Sequence, residues 1–457
     1  MIKLYNSLSH KKEAFEPIQA SAVSMYSCGP TVYDKIHIGN LRAFITADLL
    51  QRTLRHIEGM AVKWVMNITD IDDKIINRLE RDYPGVDPET ARAELTKKYT
   101  DVFLRDIGAV GINAQDIQIV SAVDSIAAMQ QLITELYQKN IAYIADGSVY
   151  FSIERYQDAG QVYGQLVNLE YDAEARVTDD QDQKEGVADF ALWKAQKPGE
   201  PAWEFMLDGQ KLPGRPGWHI ECSAMSSVAL GLPFDIHTGG IDLKFPHHEN
   251  EIAQSGGKLA NYFVHNEFLN VNSQKMSKSL NNFATLSDVS DPRALRLLCL
   301  QAHYRSQLDF TDESMQAAHN RLLALRQAVR KNQYASESQV TLQVGSTVAQ
   351  AFMQNFASAL ADDLNTPLAL SALAEYEREA AMHHGFVESL TWADQVLGLG
   401  LVDEVIPFTE EESALISERN AARQKGDFEV SDKIRDGLKI RNIDVDDLSG
   451  SSLYWRM

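Results

Sequence analysis

A strand, a Gly-Pro turn, a helix and a second strand follow one another in residues 22–68, and this order restricts the fold more than any other feature. Ala22–Ser27 reads as a short strand that runs into the turn-rich Cys28-Gly29-Pro30-Thr31. From about Gly39 to His56, the apolar residues Leu41, Phe44, Leu49, Leu50 and Leu54 recur at helical spacing. Ala61–Ile68 then reads as a buried strand, with Thr69 and Asp70 placed to cap another helix. A βαβ unit of this kind predicts an α/β fold, a Rossmann-like doubly wound parallel sheet. Ligands of such sheets lie beyond the carboxyl ends of the strands, so Cys28–Asn40 and Thr69–Asp73 are expected at a site.

Residues from about Gln115 to Asp189 break that rhythm and read as an insertion. It holds a helix (Asp124–Lys139), a strand pair (Ile141–Ile153) and an acidic polar run (Asp172–Glu185). The α/β pattern resumes at Trp218–Leu230 and Phe234–His237. After Asp291 the chain reads as helical, with Asp291-Pro292 and Thr366-Pro367 as helix starts. Pro407 and Glu410–Glu412 mark a last boundary, before two helices at about Glu410–Lys425 and Asp427–Arg441. The expected organisation is a catalytic domain over 1–290, with the insertion at about 115–189 and a loop-bearing segment at about 256–290. An α-helical bundle over 291–405 and a small C-terminal region over 406–457 follow.

Composition enters through charge. Asp and Glu number 64 against 43 Lys and Arg, a net charge of −21. Such a chain is a poor non-specific nucleic-acid binder, and any nucleic-acid partner must be held by local basic patches. Arg419, Arg423, Lys425, Lys433, Arg435, Lys439 and Arg441 form the densest one. The apolar runs are too short to span a bilayer, and no apolar signal core follows Met1, so a cytoplasmic location is expected. Cys28, Cys222 and Cys299 are too few and too scattered for a disulfide framework.

Three segments carry chemistry. In Pro30–Asn40, backbone amides at a helix start attract anions, and His37 and Asn40 add donors for a phosphate or ribose. Gln274-Lys275-Met276-Ser277-Lys278-Ser279 reads as a loop able to neutralise charge on a leaving pyrophosphate. No Walker-type phosphate loop is present. In Pro246–Ile252, His247 and Glu251 are four apart and share a helix face, as do His248 and Ile252, so only His247 pairs with a carboxylate. With Cys28 and Cys222 these make a donor set suited to Zn²⁺. Spacing alone leaves a plainer reading open, because neither cysteine lies in a CxxC and lone cysteines are usually small buried hydrophobes.

Taken together, the strings resemble one family. Cys28–Asp34 with His37-Ile38-Gly39-Asn40 is similar to the HIGH signature of class I aminoacyl-tRNA synthetases, and Lys275–Ser279 to their KMSKS signature. Asn67–Lys74, Gly217–Ser223, Phe245–Glu251 and His303–Leu308 resemble the strings of cysteinyl-tRNA synthetases, over nearly the whole chain. The resemblance implies ATP-dependent activation of L-cysteine, with Mg²⁺, and its transfer to tRNA(Cys) by a monomer. It implies one Zn²⁺ per chain on Cys28, Cys222, His247 and Glu251, reading the substrate thiolate. It implies ATP contacts by His37, Gly39, Asn40, Lys275 and Lys278, with His37 and Lys278 catalytic. Gly29, Thr31, Thr69, Trp218, His237 and Asp242 would form the cysteine pocket. Arg419, Arg423, Lys433 and Arg435 would meet tRNA. Asn40 departs from the second histidine of HIGH but keeps a donor. Asn281 stands where glycine is usual after KMSKSL, and Thr238 and Ile241 replace the usual glycine and serine of the pocket string. A related ligase joins cysteine to an amino-sugar with the same zinc chemistry; the long helical region after Asp291 and the basic tail favour tRNA here.

Overall fold

The computed structural model describes residues 1–167, 189–275, 283–337, 343–344, 346–380, 383–402, 405–448 and 451–456. The chain divides into two compact units. The first comprises Met1–Pro292, Tyr304–Phe310 and Asp362–Leu364, and the second the remaining residues from Arg293 to Met457.

The first unit is built on a five-stranded sheet. After the short strand β1 (Lys3–Asn6), the chain forms β2 (Ala22–Ser27), α1 (Ile38–His56), β3 (Ala61–Ile68), α2 (Asp73–Asp82) and β4 (Ile117–Ser121). Further on come α3 (Trp218–Leu230), β5 (Phe234–Gly240), α4 (Glu249–Gln254) and β6 (Ala260–Asn266). The spatial order is β6-β5-β2-β3-β4, and every pairing is parallel. The strand order turns back between β5 and β2, the switch point at which an open parallel sheet leaves a crevice. Buried apolar residues on both faces (Met25, Tyr26, Trp64, Val65, Ile236 and Phe263) explain why these strands read as continuous runs rather than as alternation.

The expected βαβ unit is present with α1 one residue longer at its start. The expected insertion differs at both ends. Ile117–Ser121 pairs with Trp64–Ile68 and is the fifth strand of the main sheet. A separate four-stranded antiparallel sheet takes in Ala142–Ala145, Ser148–Phe151, Phe190–Ala195 and Gly214–Pro216, so the inserted layer runs well past Asp189. Five residues such as Ile117–Ser121 are too few for periodicity to assign, and only the pairing with β3 does so. Asp172–Glu185 lies outside the described residues.

The second unit is helical, with helices at Pro292–Gln301, Asp312–Glu337, Ser346–Ala361, Thr366–Ala380 and Phe386–Leu397, the first beginning at the boundary. Phe352, Phe356, Tyr376, Phe386 and Trp392 pack as an aromatic core, Phe352 stacked on Tyr376 at 4.5 Å. Two tail helices, Glu410–Gln424 and Phe428–Ile440, lead to an antiparallel hairpin, Ile443–Leu448 with Ser451–Arg456. Sequence reading placed the helices and missed the hairpin, in which the acidic run Asp444-Val445-Asp446-Asp447 hides the strand pattern.

Candidate active site and metal centre

Cys28 leaves the carboxyl end of β2 on a loop laid directly against β3. A Cβ on Gly29 would stand 1.7 Å from the carbonyl oxygen of Asn67, so only glycine fits there. The Gly29 amide donates to Asn67 Oδ1 (2.8 Å), and Val32 N to Thr69 O (3.1 Å), while Thr69 N donates to Pro30 O (3.1 Å). Cys222 comes from α3. His247 and Glu251 come from a wide turn, Lys244–His248, that runs on into α4.

These segments bring four donor atoms together. One set, Cys28, Cys222, His247 and Glu251, has all its donor atoms within 4.8 Å of one another, and so does a second, Cys28, His237, His248 and Glu251. Cys28 Sγ lies 3.8 Å from Cys222 Sγ and 3.7 Å from Glu251 Oε1, and His247 Nε2 lies 3.1 Å from Glu251 Oε1. Edges of this length suit a tetrahedral ion with bonds of roughly 2.0–2.3 Å. The surroundings favour the first set. His237 Nε2 is already engaged with Glu251 Oε2 (3.0 Å), as an outer partner that orients a ligating carboxylate. His219 Nδ1 meets His247 Nδ1 at 2.8 Å and so fixes that ring. His247 Nε2 is buried with no hydrogen-bond partner, since its approach to Glu251 lacks hydrogen-bond geometry. An orphaned nitrogen beside two thiols and a carboxylate fits a soft divalent ion.

Burial sets the protonation of this cluster. It pushes the Cys28 thiol well up, aided by the hydrogen bond and charge of Cys222. The contact with Cys28 lowers the Cys222 thiol, but burial and Glu251 carry it above its ordinary value. Burial, then the neighbouring His219 and His237, holds His247 well below the usual histidine range. The histidine is thus ready as a neutral ligand, whereas both thiols must shed protons as a metal binds.

A cleft of about 350 Å³ runs from Cys28 past the start of α1. Gly29, Thr31, Trp218 and Asp242 line it, as do His37, Gly39 and Asn40. The Trp218 ring, 40% exposed, stacks on His247 at 4.1 Å and joins the four-donor cluster to the cleft wall. Thr69 and His237, expected on the cysteine pocket, stand behind it. Thr69 is buried and accepts from Asn67 Nδ2 (3.1 Å), and fully buried His237 holds Glu251. Tyr33, Lys35 and Lys74 also line the cleft; they fall within the strings quoted above but were given no role there, and Phe283, outside those strings, lines it as well.

His37 caps α1, and the segment after the KMSKS string is stitched to it. Ile38 N donates to Ala284 O (3.0 Å), His37 bridges Thr285, and the Phe283 ring meets the His37 ring edge-on at 5.3 Å. Lys275 pairs through its backbone with Asn270. Lys278 lies outside the described residues.

The tail differs most from expectation. Arg419 is fully buried, its guanidinium donating to Asp447 (2.9 Å) and Tyr454 (3.0 Å), so it is a core residue and no direct tRNA contact. Arg423 also donates to Asp447 (2.8 Å). Lys433 pairs with Glu429 (2.9 Å) and Arg435 with Asp432 (3.4 Å), both exposed at the helix surface. From Glu410 to Met457, eleven acidic side chains face eight basic ones, so the segment is not a positive patch. A run of basic letters hides the acids one turn away.

No helix among the described residues is long and apolar enough to cross a membrane. Residues 14–320 match the family model described as the tRNA synthetases class I (C) catalytic domain. The chain is 40% identical to the cysteine–tRNA ligase of Synechococcus elongatus, over 99% of each chain, and 39% identical to that of an Exiguobacterium strain, over 100% of each. In fold it is similar to Mycobacterium tuberculosis methionyl-tRNA synthetase bound by methionyl-adenylate, with a TM-score of 0.57, 14% identity and coverage of 83% of this chain and 88% of that one. A parallel sheet opened at its switch point, a thiol-rich donor cluster able to hold a metal at the head of the crevice and full-length identity near 40% agree, and the chain belongs to the cysteine–tRNA ligases of the class I aminoacyl-tRNA synthetase family.

Proposed function

We propose that this protein joins L-cysteine to tRNA(Cys) in two steps, with its selectivity set by one Zn²⁺ held by Cys28, Cys222, His247 and Glu251. In the first step the cysteine carboxylate attacks the α-phosphate of ATP, releasing pyrophosphate and leaving cysteinyl-adenylate. In the second, the terminal ribose hydroxyl of the tRNA attacks the adenylate carbonyl and releases AMP. The observation that carries the reading is the four-donor cluster opening through Trp218 onto the cleft that also meets the start of α1.

The residues divide the work by position. The Asn40 side-chain amino group and the Gly39 amide offer donors for ATP, and the positive end of a 19-residue helix favours its phosphates. Lys278, with Lys275 and Mg²⁺, neutralises charge on the departing pyrophosphate. Gly29, Thr31, Trp218 and Asp242 shape the amino-acid end of the cleft, while His237 keeps Glu251 in place. Zn²⁺ bound there supplies a Lewis acid that takes a thiolate, from a thiol of pKa about 8.5, in preference to a hydroxyl. A pocket reading shape alone would separate cysteine from serine by about 10²-fold or less. The helical unit and exposed tail residues such as Lys433 and Arg435 serve the tRNA, and the enzyme works as a cytoplasmic monomer.

ATP–pyrophosphate exchange with cysteine and then serine tests the reading, together with metal analysis of the same preparation. One zinc per chain and at least 10³-fold preference for cysteine are expected. Cys222→Ser and His247→Ala should lose zinc and exchange together. An active preparation without zinc, or comparable exchange with serine, would refute the assignment.

A further inference from the structure

Ser7, His265 and His248 form a buried file that ends on Cys28. Ser7 Oγ lies 2.8 Å from His265 Nδ1, His265 Nε2 lies 2.8 Å from His248 Nδ1, and His248 Nε2 lies 3.4 Å from Cys28 Sγ. All three side chains in front of Cys28 are at most 4% exposed. The file is held at both ends. Ser7 N donates to Phe263 O (2.9 Å), and Asn6 grips β6 through Asn261 O and Phe263 N. At the other end, a Cβ on Gly239 would stand 2.7 Å from His248 Cε1 and 3.1 Å from its Nε2, so the bare glycine makes room for the ring edge beside Cys28.

A neutral imidazole has one N–H and one lone pair. The hydrogen bonds of the file must therefore all run toward Cys28 or all run away from it. In the second case the Cys28 thiol donates to His248 Nε2. Once Cys28 is a metal-bound thiolate it has no proton, and a lone pair on His248 Nε2 would face the sulfur. The thiolate thus selects the first polarity: Ser7 O–H to His265 Nδ1, His265 Nε2–H to His248 Nδ1, and His248 Nε2–H to Cys28 Sγ.

We infer that Ser7, His265 and His248 are positioning residues that deliver one directed hydrogen bond to the Cys28 thiolate, strengthening the metal site and keeping His248 out of the ligand set. This rests on the zinc reading above. The competing arrangement makes His248 itself a ligand through Nε2, with the file reversed. It is disfavoured because it leaves His247 Nε2 buried without a partner, whereas His237, whose Nδ1 is also buried and unpartnered, already holds Glu251 through Nε2.

The full-length protein and its Ser7→Ala, His248→Gln and His248→Ala variants are loaded with Co²⁺ to read the thiolate-to-metal charge-transfer absorption, and their Zn²⁺ affinity is measured by chelator competition. The parent should bind one metal per chain. His248→Gln keeps an N–H donor and should retain that stoichiometry with a shifted charge-transfer band. His248→Ala should lose roughly 10–100-fold in affinity, the scale for outer partners of a metal ligand, and more than His248→Gln. Ser7→Ala removes only a hydroxyl, leaves the fold in place, and should shift both readouts in the same direction by less. Loss of the metal in His248→Gln would make His248 a ligand and overturn the inference. Parent-like affinity and absorption in all three variants would also overturn it while leaving the zinc reading intact. A parent that binds no metal would overturn both.

Discussion

His37 and Asn40 cap one another at the start of α1: Asn40 N donates to His37 Nδ1 at 3.2 Å, and His37 N donates to Asn40 Oδ1 at 3.3 Å. Asn40 thus stabilises the helix with its oxygen and keeps its amino group for the proposed contact with ATP. The two roles are separable. Asn40→Asp retains the oxygen and puts a negative charge where phosphates must sit. We predict an unchanged melting temperature and a KM for ATP raised at least tenfold in pyrophosphate exchange. Asn40→Ala should lose both functions, with about 1 kcal/mol of stability gone with the cap. Equal ATP affinity in the Asp variant would detach Asn40 from nucleotide binding.

Lys278→Ala should slow adenylate formation by about 10²–10³-fold, the scale for one charge-stabilising donor in a transition state. Cysteine affinity should barely change, because the proposed contact is with phosphate. Single-turnover measurements separate the two. A large loss of cysteine affinity with unchanged chemistry would contradict the assignment.

The buried histidines predict how the metal-free protein responds to acid. Burial, reinforced by His237 and Lys244, lowers His265 to about 3, against an unfolded value of about 6.5. A lowered folded pKa means that the unfolded chain takes up the proton first. This stabilisation is full above about pH 6.5 and falls as pH drops toward 3, by up to about 1.4 kcal/mol per unit for one such group. Glu221 works in the opposite sense, since burial raises it well above the carboxylate range. Urea unfolding of chelator-treated protein at pH 7.5, 6 and 5, beside His265→Gln, isolates the histidine. Identical pH slopes in the two proteins would rule this out.

In the tail, Arg419 and Arg435 should behave differently although both are arginines in a basic stretch. Arg419→Ala removes a fully buried guanidinium but leaves Asp447 paired with Arg423 and Ser452, so it should destabilise the C-terminal segment by about 1–3 kcal/mol, less than an uncompensated buried charge would cost. Arg435→Ala breaks only a surface pair worth at most about 1 kcal/mol, and should lower tRNA affinity without moving the melting temperature. Removing the chain from Glu410 onward should spare cysteine-dependent exchange and sharply reduce aminoacylation. Undiminished charging by the truncated protein would exclude the tail from tRNA binding.

Legibility in the sequence followed the range of the interaction. The βαβ unit, α1 and the His247–Glu251 pair arise from neighbours a few residues apart, and their spacing shows in the letters. The union of Cys28 with Cys222 spans 194 residues and was suggested by resemblance, not by pattern. Ser7 and His265 are 258 apart and left no trace at all. Arg419 was misread for the same reason: its burial is decided by Asp447 and Tyr454, which reach it through a hairpin hidden in an acidic run. Charge counted along the chain does not say which charges face each other.

The separation of the metal ligands also bears on how the chain folds. Cys28 follows β2, Cys222 lies on α3, and His247 and Glu251 come after β5 has paired beside β2. Cys28 lies 194 residues before Cys222, so closure of that long loop must precede the complete site. In a zinc finger the ion gathers a short peptide and initiates structure. Here the sheet has to assemble first, and the ion can enter only a nearly native chain. Zinc added at the start of refolding should therefore leave the folding rate unchanged and act on the unfolding rate alone.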